Sequence, residues 1–317
     1  MSSLSSVSSL AAISFHESRL VTVDGASLFA RCAAPSDGAP RGTVLLVHGM
    51  GEHSARYFHV AGWLVEQGFR VCAFDLRGHG RSEGRRGDIA SYDLLLDDLD
   101  LVWKKMIAPV LCEHSSDTSA GDATLENSDH AIAPVFLYGH SLGGQLAINF
   151  AAENKPAGLC GLIVTSPWLE LAFVPARWKL LIARLTLKLC PSFTQKTDVK
   201  PERLSRDLAF LASLSDLHLV HHRMSARMYF ELVRGAAQAQ ENARRIFFPM
   251  LLIHGARDPV TSWKASQEFF KAASSEDKTL HIYPEALHET HNDIDREIVR
   301  RDLLAWLDAH CGCRESV

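Results

Sequence analysis

The chain has 317 residues, 47% of them hydrophobic and 22% charged, which is the composition of a soluble globular protein with apolar material for a sizeable core. Lys and Arg number 33 against 37 Asp and Glu, a net charge of −4 (33 minus 37), which excludes a global basic field for nucleic acid. Its length admits one large α/β domain or two ordinary ones.

The start is Ser-rich without a charged leader or a long apolar stretch, so residues 1–15 read as a flexible tail. Residues 16–23 and 26–33 alternate in β fashion about Asp24-Gly25, a hairpin dipeptide. Residues 42–47 form a near-continuous apolar run that ends in His48-Gly49-Met50-Gly51-Glu52; a strand buried on both faces of a parallel sheet has this pattern. Helical spacing follows over 57–67 (Phe58, Ala61, Leu64, Val65), and 70–74 is a second buried strand, completing a β-α-β unit. It leads into Asp75-Leu76-Arg77-Gly78-His79-Gly80-Arg81-Ser82, a tight loop at the carboxyl end of a strand, where open α/β sheets bind ligands. Residues 91–111 predict a long amphipathic helix (Leu94, Leu95, Leu99, Val102, Met106) with Ser91 as its cap and Asp93, Asp97 and Asp98 near its start. A polar insertion at about 113–131 has too little apolar content to pack and carries no chemistry.

Gly139-His140-Ser141-Leu142-Gly143 then matches G-x-S-x-G between the apolar run 134–138 and the helix-like run 142–152. A strand that turns directly into a helix forces its central residue into a strained, exposed turn, and flanking glycines make room where a Cβ would clash. Ser141 is thereby a candidate nucleophile, with the Leu142 N–H and the helix N-terminus facing a developing oxyanion. Residues 159–165 are the next buried strand. From 168 to about 245 no strand is evident and the segment reads as helical, after which 250–254 (strand), 263–273 (helix), 278–283 (strand) and 294–310 (helix) resume the alternation. One sheet domain over 16–317 results, with a helical cap at about 168–245, inserted after the strand that follows the nucleophile. Pro175 and Pro191 bound a cap helix with Trp178, Ile182, Leu185 and Leu189 on one stripe and Arg177, Arg184 and Lys188 on another. Such a helix rests on an anionic membrane surface, or packs on the core and leaves a solvated basic edge.

A serine nucleophile needs an imidazole to take its proton and a carboxylate to orient that imidazole. Asp258 lies in His254-Gly255-Ala256-Arg257-Asp258-Pro259, directly after a buried strand, and His288 follows 30 residues later (288 minus 258), just past the last strand. His281 and His291 are rivals for the base; Asp277, Asp293 and Asp295 read as helix or turn carboxylates, and Asp97 and Asp98 as solvated. Met50, in the loop after the first buried strand, offers a second oxyanion N–H. The seven cysteines (Cys32, Cys72, Cys112, Cys160, Cys190, Cys311 and Cys313) are odd in number and scattered, so they read as free core thiols of a reducing compartment. Cys311 and Cys313 have no partner ligands for zinc.

The stretch His48-Gly49-Met50-Gly51-Glu52-His53-Ser54, with Arg56-Tyr57 behind it, resembles the oxyanion-loop signature of monoacylglycerol lipases and bacterial lysophospholipases. So do Phe74-Asp75-Leu76-Arg77-Gly78-His79-Gly80-Arg81-Ser82-Glu83-Gly84 and the Gly-His-Ser-Leu-Gly-Gly run at 139–144. Leu252-Ile253-His254-Gly255-Ala256-Arg257-Asp258, Asp277-Lys278-Thr279-Leu280 and His288-Glu289 extend the likeness over about 16–310, outside the polar insertion and most of the cap. The resemblance implies an α/β-hydrolase fold with a mostly parallel eight-stranded sheet flanked by helices. It implies Ser141 as nucleophile, Asp258 as acid, His288 as base and Met50 and Leu142 as oxyanion donors, with no metal or organic cofactor. The implied activity is release of a fatty acid from a monoacylglycerol or lysophospholipid through an acyl-enzyme. Short-chain carboxylesterase and amide-cleaving aminopeptidase activities use the same machinery, and a non-catalytic binding module is the reading outside enzymes. The implied partners are a lipid-like ester and, through the cap, a membrane surface; the expected location is the cytoplasm or the periphery of a membrane. Head group, chain length and oligomeric state stay open.

Overall fold

A computed structural model describes residues 14–113, 133–197, 199–214 and 216–311. The chain opens with β1 (His16–Val21) and β2 (Ser27–Ala33), an antiparallel hairpin whose turn holds Gly25 at φ +85°. There follow β3 (Gly42–Val47), α1 (Phe58–Glu66), β4 (Phe69–Phe74), α2 (Asp93–Val102) and α3 (Ala108–Glu113), then β5 (Val135–His140), α4 (Leu142–Asn154) and β6 (Leu159–Thr165). Between β6 and the next sheet strand lie α5 (Arg177–Leu189), β7 (Thr194–Lys196), α6 (Leu208–Ser213), β8 (Arg223–Ser225) and α7 (Ala226–Glu241). The chain closes with β9 (Met250–Gly255), α8 (Trp263–Ala272), β10 (Lys278–Tyr283) and α9 (Arg296–His310).

Eight strands form one sheet in the order β1-β2-β4-β3-β5-β6-β9-β10; β2 pairs antiparallel with β1 and β4, and the other pairs are parallel. The apolar runs explain the layering. Every residue of β3, β5 and β9 is buried, so both faces of these strands need cover. Side chains alternate between them: Leu45, Val47 and Leu137 pack with Leu146 and Phe150 on one face, while Val44, Leu46 and Phe136 pack with Leu64 and Trp306 on the other.

Several expectations are corrected. The helix expected over 91–111 begins at Asp93 without a Ser91 cap, and a π-helical turn at Trp103–Ile107 divides it. The Tyr92 N–H just before it is satisfied by the Glu231 carboxylate at 2.7 Å, a partner from α7 that no local pattern could announce. Asp98 is buried rather than solvated, because it shares Arg77 with Asp24 (2.7 and 2.6 Å). Two short strands, β7 and β8, pair where none was expected; three residues each are too few to show a period. Cys32 and Cys72 are not free thiols. They oppose each other across β2 and β4, with Cα atoms 4.2 Å apart, and form a disulfide, which removes the argument from cysteines for a reducing compartment. The polar insertion, apart from its first residue, the tail up to residue 13, and Cys313 lie outside the described residues. Among the described residues no helix is long and apolar enough to cross a membrane.

Candidate active site

Ser141 sits between the end of β5 and the start of α4 with φ +53° and ψ −115°, a backbone state that non-glycine residues avoid at a cost of about 1–3 kcal/mol. The strain is imposed from both sides. The Ser141 N–H donates to the Thr165 carbonyl of the neighbouring strand at 2.9 Å, and its own carbonyl accepts from Trp168 N–H at 3.0 Å. Room for the turn comes from glycine: a Cβ on Gly143 would run into the carbonyls of Val47 and His48, and one on Gly139 into that of Gly143.

The β9 and β10 strands deliver the partners. His288 Nδ1 lies 2.7 Å from Asp258 Oδ2. Asp258 Oδ1 accepts the Val260 and Thr261 N–H groups (2.7 and 3.0 Å), and Oδ2 also accepts the Thr261 hydroxyl at 2.7 Å. His254 Nε2 reaches the same Oδ2 at 3.0 Å, while its Nδ1 meets the Ser266 hydroxyl at 2.9 Å. A carboxylate only accepts, so His288 carries its proton on Nδ1 and His254 on Nε2. That leaves Nε2 of neutral His288 as an acceptor. Burial works against charge on both members of the pair, yet each holds the other's charged form: the Asp258 carboxylate raises His288 above the ordinary 6.5, and His288 and His254 hold Asp258 well below the ordinary 3.8. The Ser166 hydroxyl fixes the His288 carbonyl at 2.7 Å.

The loop after β3 passes against Ser141: a Cβ on Gly49 would lie 3.0 Å from the Ser141 Cβ. Met50 is next in this loop, and Ser141, His288 and Met50 all border one cavity of about 960 Å³. Leu142 is fully buried at the first position of α4. The loop is braced by Glu52, whose Oε1 accepts the Gly49 N–H at 2.5 Å and the Tyr57 hydroxyl at 2.7 Å. Arg56 joins Glu52 (3.2 Å) to Glu289 (2.8 Å), the residue after His288, so one buried guanidinium ties the Met50 loop to the His288 loop. Burial, with Glu289 close by, raises the Glu52 pKa. Arg56→Met would leave two buried carboxylates without a counter-charge, and a loss of about 3–5 kcal/mol is expected in denaturant unfolding. A loss within experimental error would show that the strut is not stabilising.

Sequence reasoning chose Asp258 and His288 by their positions after strands, and the structure joins them. Neither rival histidine touches Asp258: His281 is 4.0 Å from Asp302, and His291 stacks on Tyr57 at 4.8 Å. Sequence reasoning missed His254 and Thr261. The visible signal for His254 was an imidazole ending an otherwise apolar strand, four residues before the acid.

The fold and this site define an α/β-hydrolase, and the comparisons narrow the class. The family described as serine aminopeptidase S33 matches residues 38–295, so the chain belongs to it. An uncharacterized abhydrolase domain-containing protein of Dictyostelium discoideum is 34% identical over 92% of this chain, and the chain spans 28% of that protein's length. The monoglyceride lipase of Mus musculus is 30% identical, over 93% of this chain and 92% of its own. Among solved structures, a soluble variant of monoglyceride lipase from Saccharomyces cerevisiae, in complex with a substrate analog, superposes with a TM-score of 0.77 at 26% identity, over 94% of this chain and 96% of that one. The protein is a hydrolase of the lipase and esterase type.

Proposed function

We propose that this protein releases a fatty acid from a long-chain monoacylglycerol or related lysolipid by two-step acyl transfer. His288 Nε2 takes the proton of the Ser141 hydroxyl as it attacks the ester carbonyl. The N–H groups of Met50 and Leu142 hold the tetrahedral oxyanion, each worth about 3 kcal/mol of barrier. His288 then gives the proton to the leaving alcohol, and water repeats the sequence on the acyl-enzyme. The observation that carries this reading is the cavity itself. Leu171, Phe173, Leu180, Leu208 and Leu211, all within the proposed cap at about 168–245, wall a space of about 960 Å³ that Ser141 and His288 also border. An aminopeptidase needs a carboxylate to hold the substrate amine. The acids among the described lining are Glu52 and Glu289, both already engaged by Arg56. The monoglyceride lipase relatives favour the same reading. Hydrolysis of a long-chain monoacylglycerol and a short p-nitrophenyl ester in parallel tests it: preference for the first is expected, and turnover of the short ester alone would sink it.

The cap helix α5 supports contact with a lipid surface. None of its residues is buried, and the stripe residues Trp178, Ile182, Leu185 and Leu189 are 61%, 53%, 58% and 71% exposed, with Leu181 beside them at 70%. That exposure supports the lipid-surface reading of the stripe over one in which the stripe packs on the core. Ala176, Lys179, Leu180 and Ala183 of the helix segment face the cavity instead, so an apolar outer stripe lies directly over the apolar interior, with Arg177, Arg184 and Lys188 beside it. Changing Trp178, Leu181 and Leu185 to Ser together is expected to weaken binding to phosphatidylglycerol-containing vesicles by at least about tenfold, since burying such side chains is worth about 1.5–3 kcal/mol each. Unchanged co-sedimentation would remove the membrane from the proposal.

A further inference from the structure

Strand β9 is apolar from Met250 to Ile253, and His254 then places a fully buried imidazole where another aliphatic side chain would continue the run. Burying such a ring is costly unless its nitrogens find partners. Nε2 reaches Asp258 Oδ2 at 3.0 Å, and Nδ1 meets the hydroxyl of Ser266, a fully buried residue of α8, at 2.9 Å. Because the carboxylate only accepts, Nε2 holds the proton and Nδ1 the lone pair, to which the Ser266 hydroxyl donates. Ser266 thereby favours the tautomer of His254 that donates to the acid.

The same carboxylate oxygen serves His288. His288 Nδ1 donates to it at 2.7 Å, and the Thr261 hydroxyl, also 2.7 Å from it, stands between the two rings, 3.4 Å from His254 Nε2 and 3.3 Å from His288 Nδ1. An oxygen with two lone pairs is crowded by three donors. Each donor stabilises negative charge that would otherwise act on His288 alone. Burial opposes the charge on Asp258, and His288 and His254 hold the carboxylate ionised against it.

We propose that His254 is a positioning residue for the acid: its Nε2–H fixes Asp258 Oδ2 toward His288 and limits how strongly that oxygen draws the His288 proton. The inference rests on the hydrolase reading above and adds to it a residue that acts through Asp258. His254 is absent from the described cavity lining, so it works without touching substrate. A general base serves best when its pKa lies near the working pH, and a carboxylate with one donor fewer would pull the His288 pKa further up. Other groups face His288 too. Burial lowers it, Glu289 and Glu52 raise it together with Asp258, the His140 ring lies 4.8 Å away, and His291 lies 4.8 Å beyond His140. A substitution at His254 leaves all of these in place.

The test measures kcat, KM and their pH dependence on a monoacylglycerol in neutral detergent micelles for the wild type, His254→Phe and His254→Gln. Phe fills the volume of the ring without a donor, whereas the Gln amide can place an N–H near the position of Nε2. In His254→Phe, kcat is expected to fall about tenfold with KM unchanged, the size of one hydrogen bond to a charged group. The acid limb of kcat/KM should move to higher pH, opposite to the effect of losing the carboxylate itself. His254→Gln should return the limb to its wild-type position and recover most of kcat. A packing defect alone lowers the rate without changing the charge on Asp258. An unmoved limb, a limb moved to lower pH, or equal impairment in both variants therefore overturns the inference and leaves the hydrolase reading standing. Wild-type kcat in His254→Phe overturns it as well. No fatty acid released by the wild type overturns both. Melting temperatures identify a variant that fails to fold. Ser266→Ala, which removes only the donor to Nδ1, then takes the place of His254→Phe; the limb should move in the same direction, and a fixed limb overturns the inference.

Discussion

Ser141→Ala is expected to lower kcat on a monoacylglycerol by about a million-fold, because removal of the proposed nucleophile would leave only binding and the proposed oxyanion donors. Ser141→Gly should be equally inactive but more stable than the wild type. Ser141 holds φ +53° and ψ −115° because Thr165 and Trp168 clamp its backbone on either side. Glycine adopts positive φ without the Cβ penalty, which removes about 1–3 kcal/mol of strain at a cost of about 0.5–1 kcal/mol in unfolded-state entropy. A rise in melting temperature of about 2 °C follows for a chain of this size. The paired result, activity lost and stability gained, would show strain retained for the sake of the hydroxyl. Activity of Ser141→Ala within tenfold of the wild type would assign the nucleophile elsewhere.

Asp258→Asn is expected to lower kcat by about ten-thousand-fold. Three donors converge on Asp258 Oδ2, from His288, His254 and Thr261. If the amide nitrogen takes that position it meets three donors; if the amide oxygen does, the nitrogen faces the Val260 and Thr261 N–H groups instead. The first placement sets a donor against His288 Nδ1 and favours the wrong tautomer; the second keeps an acceptor for Nδ1 but sets the amide N–H groups against two backbone N–H groups. The pH profile should move as well. The proposed general-base action requires neutral His288, so wild-type kcat/KM is expected to fall as pH drops through its pKa, raised above the ordinary 6.5 by Asp258. In Asp258→Asn the burial of His288 remains and the carboxylate is gone, so the acid limb shifts to lower pH. For stability, the raised His288 contributes fully below its unfolded value of 6.5 and loses that contribution as pH rises through its folded value. The depressed Asp258 contributes above its unfolded 3.8 and loses it as pH falls. The stability gap between wild type and variant should therefore be widest from about pH 4 to about 6.5, and narrow as pH rises from there through the folded pKa of His288. An acid limb that stays in place would argue against the Asp258 to His288 pairing as the source of the shift.

The interior strands were the most legible part of the chain. Residues 42–47 were expected as a strand over the span that β3 occupies, and 250–254 falls one residue short of β9, because a fully buried parallel strand leaves an unbroken apolar run; 278–283 also matches β10, an edge strand whose residues are all half-buried. The Ser141 turn was legible for a related reason: an apolar run before the glycine-flanked serine and a helix-like run after it turn a short pattern into a strand-to-helix reversal. The long helix failed at its start, since its first N–H is satisfied by Glu231, 139 positions away. The strands of residues 166–249 were hidden because three-residue strands have no period to detect.

By itself the sequence determined the alternation of strands and helices, the place of the candidate nucleophile and the order of acid and histidine after it, because these depend on local turn chemistry and on apolar runs read along the chain. Tertiary structure alone decided which groups meet. Arg56 binds Glu289 across 233 positions, Cys32 bonds Cys72 because β4 folds back beside β2, and His254 and His288 share one carboxylate oxygen. It also decided that the α5 stripe faces outward. Periodicity records which side of an element is apolar, and only the packing of neighbours determines what that side touches.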